Sequence, residues 1–140
     1  MNAMVKNATL SEENVPLALF AQSIDFSGLY DHINSFAGIN CKFQQPGITS
    51  ERSGRLYIDI QSDDIKYQTG PFGKILRNCR IQSGSSEIFR DKETGDPKLW
   101  VVIMIRYEHK DGGSNGMEVC RAWYSDSEGW IYKDVGADAE

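Results

Sequence analysis

Three consecutive stretches decide the fold: KLWVVIMIRYEH (residues 98–109), DGGSNG (111–116) and MEVCRAWY (117–124). The first and third are rich in β-branched and aromatic residues, and the second is the Gly/Asn/Asp chemistry of a hairpin loop. With Lys110 to Asn115 as the loop, His109 faces Gly116, Ile105 faces Cys120, Ile103 faces Ala122 and Val101 faces Tyr124. Those residues share one face, with Tyr107 and Glu118 at its edge. Trp100, Val102, Met104, Arg106, Met117, Val119, Arg121 and Trp123 take the other. Asp126-Ser127-Glu128-Gly129 turns the chain again, and Trp130 to Val135 forms a last strand. With Tyr124 opposite Trp130, Tyr132 and Asp134 join the first face, and Ile131, Lys133 and Val135 the second. Both faces of this hairpin carry large apolar side chains, so one packs on helices and the other needs a second cover.

Upstream, the period is helical. Thr9 with Glu12 fits a capping box, Asn14 is a second candidate cap, and Pro16 fits a first turn. Phe20 and Ile24, then Leu29, Ile33, Phe36 and Ala37, follow a helical stripe broken at Ser27-Gly28. Two helices follow, over 14–25 and 28–37, with Gly38 as the stop. A competing reading makes 20–26 a strand. Beyond Gly38 the period becomes two. Strands are expected over 39–44, 56–60, 65–67 and 74–82, with Glu87 to Arg90 as a continuation of the last past Ser83-Gly84-Ser85. Turns fall at Gln45-Pro46-Gly47 and Ser62-Asp63-Asp64, and a loop at 69–73. Helices grouped ahead of sequential short-turn strands specify an α+β fold, with N-terminal helices packed on a curved antiparallel meander sheet.

The chain of 140 residues suits one domain, 1–140, with loose tails at 1–8 and 136–140. A domain of this size buries roughly two-thirds of its unfolded surface and folds without disulfides or metals. Its 20 acidic against 15 basic side chains leave a net charge of −5, which argues against a nucleic-acid partner. Arg77 and Arg80 are close in sequence and read as solvated strand arginines. No stretch approaches the roughly 18 apolar residues of a membrane helix. The first residues lack the apolar core of a signal peptide, so no membrane association is expected. Cys41, Cys79 and Cys120 are odd in number and widely spaced, and sit at core parity. They read as reduced structural thiols, and the expected location is cytoplasmic.

Residues 118–124 (EVCRAWY), followed by SDSEGWI (125–131), resemble the closing hairpin of NTF2-like domains, the superfamily of SnoaL-like and ketosteroid-isomerase-like proteins. The resemblance covers residues 98–135. It implies a curved sheet closed by helices around a conical pocket, and a role as an acid–base enzyme, a ligand-binding module or a dimerising module. The family usually has a further helix before its long strands, and residues 44–97 show none, which leaves a cystatin-like roll as the other form of the same layout. Fold does not choose among these functions.

Specific chemical motifs are few. His32 and His109 have no Cys or His at ligand spacing, so no metal is expected, nor any other cofactor. The acidic turns do not match a calcium loop. Gly70-Pro71-Phe72-Gly73-Lys74 lacks the length of a phosphate loop, and Pro71 removes an N–H from it. No nucleophile elbow occurs. Under the family resemblance, Tyr107, Tyr124, Trp130 and Tyr132 would line a cavity for a small apolar ligand. Asp134 or Asp31 would be the base there, with Tyr30 as hydrogen-bond donor, since a carboxylate among aromatic walls moves protons near neutral pH. The opposite reading puts Asp31 and His32 on the outer helix face and Asp134 at a solvated strand end. Trp100, Met104, Arg121 and Trp123 form an interface-like face, and the expected partner is a second copy of the chain. The leading expectation is a ligand-binding or dimerising module. The alternatives are a cofactor-independent isomerase or lyase, and an accessory subunit of a larger assembly.

Overall fold

The computed structural model describes residues 15–38, 40–52, 55–69, 75–108 and 112–134. The expected tails, the capping residues Thr9, Glu12 and Asn14, residues 70–73 of the loop expected over 69–73, and His109 to Asp111 lie outside the described residues, as do Ile39, Lys74 and Val135.

Helix α1 (Val15–Ser23) starts with Pro16 in its first turn, where the missing N–H costs nothing. It buries Leu17, Ala18, Phe20 and Ala21. It stops where the Ser23 hydroxyl donates to the Phe20 carbonyl at 2.7 Å. Helix α2 (Ser27–Ala37) begins at an Asx turn, in which the Asp25 carboxylate accepts the Ser27 N–H at 3.0 Å. That hydrogen bond holds the Asp25 carboxyl below its usual range. The helix ends at Gly38, whose φ of 69° is the left-handed stop expected there. Leu29 and Ile33, one turn apart, are fully buried.

Among the described residues seven antiparallel strands follow: β1 (Gly47–Arg52), β2 (Arg55–Asp59), β3 (Ile65–Thr69), β4 (Ile75–Arg90), β5 (Pro97–Glu108), β6 (Ser114–Ser125) and β7 (Gly129–Asp134). The sheet order is β1-β2-β4-β5-β6-β7, with β3 also pairing β4. At 16 residues, β4 is long enough to carry β3 along its first half and β2 along its second. Helix α1 packs on β4 and β5, and α2 on β6 and β7. Helices ahead of an antiparallel meander give the α+β architecture expected. Between 44 and 97 the described residues form strands and turns, with no helix.

Two bulges set which side chains face the helices. In β4 the pairing moves from Ser83↔Ile103 to Ser86↔Val101, so one residue is extra. That insertion brings Ile81 and Ile88, of opposite parity, onto the same buried face. Two serines restore the bonding. The Ser86 hydroxyl accepts from Ile58 N–H and donates to Ile58 C=O, both at 3.0 Å, and the Ser83 hydroxyl accepts from Ile60 N–H at 3.1 Å. Residues 83–90 are thus part of one strand with 75–82.

The second bulge corrects the register expected for the long hairpin. Val101 pairs with Ala122 and Ile103 with Cys120, a shift of two that keeps every face. Between Ile103↔Cys120 and Met104↔Glu118 the residue Val119 is inserted, and parity reverses beyond it. Met117 therefore joins the core face opposite Ile105, Val119 is buried at 1% exposure, and Glu118 moves to the outer face, where it pairs with Arg121 at 2.6 Å. The cause is apolar burial: the insertion lets Met117, Val119 and Cys120 all reach the core.

Of the strand expected over 39–44, the described residues 40–44 form a single bridge, Phe43↔Ser62. Gln44 N–H donates to Gln61 C=O and Asp63 N–H to Lys42 C=O, both at 2.8 Å, and the ladder extends no further. The Phe43 ring instead stacks on Tyr30 at 4.2 Å between centroids. That contact ties this segment to α2.

Candidate functional site

Helix α2 and strand β7 meet through side chains set by both periodicities. On α2, His32 and Phe36 are one turn apart and flank the buried Leu29–Ile33 stripe. On β7, Trp130, Tyr132 and Asp134 share the helix-facing side. His32 lies flat on Tyr132, with ring centroids 3.9 Å apart and planes 3° from parallel. Its Nε2 is 2.7 Å from Asp134 Oδ1, a contact that ties residues 102 positions apart. His32 and Asp134 keep 27% and 25% of their side-chain surface in solvent.

Strand β6 completes the cluster from below. Cys120 pairs with Asp134 across the β6–β7 ladder and is 1% exposed. One donor atom from each of His32, Cys120 and Asp134 lies within 4.8 Å of the other two. Burial, then the nearby Asp134 and Glu118 carboxylates, push the Cys120 thiol up to about 12. At neutral pH it is a thiol, not a nucleophile. Burial likewise raises the Tyr132 phenol, with smaller contributions from Cys120 and Asp31.

The aromatic residues at this junction touch one another. Tyr124 lies 6.0 Å from Phe20 and 5.1 Å from Trp130, and Trp130 lies 5.6 Å from Phe26 and 6.2 Å from Tyr132, between ring centroids. Trp130 Nε1–H donates to the Asp25 carbonyl at 2.9 Å, which fastens the α1–α2 turn to β7. Tyr30 stacks on Phe43 and Phe26 and donates its phenol to the Gln44 carbonyl at 3.3 Å. Its burial raises that phenol well above the usual range.

The structure thus brings Asp134, Tyr132 and Trp130 together beside α2, with Tyr124 next to Trp130 and against Phe20 of α1. It does not bring all the sequence candidates there. Asp31 is exposed on α2. Tyr107 sits on β5 six residues beyond Val101, the β5 residue level with Tyr132, and so ~20 Å along the strand. Tyr107 instead borders a groove of about 650 Å³ at the β5–β6 hairpin end, with Asp64, Asn78, Arg80, Gln82 and Arg106. In that groove Arg80 is paired with Asp64 at 2.8 Å and Asn78 with Glu108 at 3.1 Å. Sequence reasoning missed the convergence of His32 and Cys120 on Asp134. Helical spacing from Phe36 was a usable signal for His32, whereas no linear spacing links either residue to Asp134.

The other sheet face has a different character. Trp100 pairs with Trp123, Val102 with Arg121 and Trp123 with Ile131, which is 44% exposed. Met104 lies across a trough between Gly84 and Gly116, where a Cβ would come within 2.8 Å and 3.2 Å of it. Both helices pack on the opposite side, against β4–β7. Comparison with family models, with curated proteins and with solved structures finds no match for the chain. No helix among the described residues is long and apolar enough to cross a membrane.

Proposed function

We propose that the chain is an NTF2-like interaction module that pairs with a second copy of itself through the outer face of β5, β6 and β7. The observation that carries this reading is the Trp100–Trp123 cross-strand pair, extended by Met104 and by the exposed Ile131, on the side away from the helices. Aromatic pairs ringed by charge are the composition of interaction hot spots. Arg121 and Lys133 border this patch on the β6–β7 side and Glu87 borders it on β4. A two-fold axis along the strands sets β7 of one copy over β4 of the other, which brings Lys133 within about two residues' height of Glu87 of the second copy, itself paired with Arg55 at 2.7 Å in its own chain. Opposite charges then meet at the rim while the tryptophans lose water.

The NTF2-like form is supported by two leading helices on one face and long, bulged strands at the end. A cystatin-like roll is the same layout without a third helix. The free thiols Cys41, Cys79 and Cys120 suit a reducing cytoplasm. Mutual contacts among Tyr124, Trp130 and Tyr132 favour an interaction module over a pocket for a small apolar ligand. Light scattering after size exclusion tests the proposal. Wild-type protein should elute as a dimer at micromolar concentration, and Trp123→Glu should elute as a folded monomer. A wild-type monomer, or a variant that dimerises like wild type, overturns it.

A second reading, a cofactor-independent acid–base enzyme, is favoured by one observation, the 2.7 Å contact of His32 with Asp134. In that reading Asp134 is the base and His32 orients it. Asp31 is turned to solvent and Tyr30 is committed to Gln44, so neither adds to it.

A further inference from the structure

We propose that His32, Cys120 and Asp134 form a three-ligand site for a divalent zinc ion at the junction of α2, β6 and β7. The three residues supply imidazole nitrogen, thiolate sulfur and carboxylate oxygen, the donor types of protein zinc sites. They come from three elements, so one ion would clip the helix to two strands. Tetrahedral zinc, with bonds of about 2.0–2.3 Å, holds its donor atoms about 3.3–3.7 Å apart. The donors here all lie within 4.8 Å of one another, and the closest pair is at 2.7 Å, so the observed spacing brackets the required one. The adjustment falls on the partly exposed His32 and Asp134, which part by ~0.6 Å or more from their 2.7 Å contact and close on Cys120 by up to ~1 Å. Cys120 stays fixed in the core beneath them.

The surroundings suit an outer shell. Tyr132 stacks on the His32 ring and sets its plane, and the Phe36 ring lies parallel to it at 6.3 Å between centroids. The fourth coordination position opens to water between His32 and Asp134, each about a quarter exposed. Binding replaces by the metal the Cys120 S–H proton, which leaves to solvent, and the proton between His32 Nε2 and Asp134 Oδ1, which passes to Nδ1 of the imidazole or to solvent. The ion then neutralises the thiolate so formed together with the Asp134 carboxylate opposite it on the β6–β7 ladder. This site is independent of the outer-face interface.

Cobalt(II) is the probe, because a thiolate ligand gives it a near-ultraviolet charge-transfer band and tetrahedral geometry gives it intense visible bands. The full chain, reduced and titrated with cobalt(II), should show both at one equivalent, and zinc should displace them. Cys41→Ser and Cys79→Ser proteins should keep the thiolate band, and Cys120→Ser should lose it. Should Cys120→Ser fail to fold by circular dichroism, His32→Gln and Asp134→Asn decide the matter. Each should weaken binding at least about 100-fold, the upper end of the loss from removing an outer-shell partner. The proposal is overturned if folded wild type gives no thiolate band. It is equally overturned if the band persists at the same affinity in His32→Gln and Asp134→Asn.

Discussion

Ser86 shows how much structure one side chain carries. Its hydroxyl satisfies both the N–H and the C=O of Ile58 at the point where the β4 bulge breaks the ladder to β2. Ser86 is 5% exposed, so no bulk water replaces it. Truncation leaves the Ile58 N–H without that partner and its C=O with only the Ser83 hydroxyl at 3.4 Å, a loss of about 1–3 kcal/mol. Ser86→Ala should therefore lower the urea midpoint of unfolding with an unchanged slope. An unaltered midpoint would mean that the bulge finds its hydrogen bonds elsewhere. Ser62 repeats the arrangement next door, accepting Ile81 N–H at 2.9 Å, so buried serines supplement the backbone pairing and the apolar core along this edge of β4.

At the scale of elements, α2 is the piece on which the candidate site depends, because it alone supplies His32. Its C-terminus rests on Gly38, at φ 69°. A Cβ built there meets nothing within 4 Å, so any effect of substitution comes from the backbone and not from a clash. Gly38→Ala should cost about 1 kcal/mol. That corresponds to a fall of about 3 °C in Tm for a domain of this size. Gly38→Asn should cost less, since asparagine tolerates the left-handed region. Thermal unfolding of the two variants checks the order, and an alanine variant as stable as wild type contradicts the cap. The strands are governed by a different device. The bulges at Ser83–Ser86 and at Val119 each insert one residue, and each converts an alternating pattern into one that loads the helix-facing side.

For the whole molecule, buried acids of high pKa predict sensitivity to alkali. Burial raises the Cys120 thiol from 9.0 to about 12, and the phenols of Tyr30 and Tyr132 and the thiols of Cys41 and Cys79 shift the same way. Above pH 9 the unfolded chain gives up its Cys120 proton while the folded chain retains it. Folding then takes up protons, and stability falls as pH rises. The contribution of Cys120 is complete below pH 9.0 and is lost as pH climbs to about 12. Tm, measured on metal-free protein, should decline through that window, and Cys120→Ala should decline less steeply from a lower starting value. A Tm that is level up to pH 12, or one that falls identically in the variant, would show that the thiol is not held away from water.

Local periodicity determined much of this molecule. The 3.6-residue stripe placed both helices and their stop at Gly38, and the two-residue alternation placed the closing strands and the Tyr124–Trp130 pairing. These patterns are legible because each reports an amphipathic face formed by residues near in sequence. The bulges were not legible, since an inserted residue costs little locally and is selected by what the opposite layer can bury. That is why Met117, Val119 and Glu118 changed faces while Trp100, Met104, Arg121 and Trp123 kept theirs. The contact of His32 with Asp134 and Cys120 was the least legible feature. It spans 102 residues, and it exists because α2 docks on β6 and β7 at one height and one rotation. Composition and spacing supply the donors, but only the docking of a helix on a sheet decides that they converge.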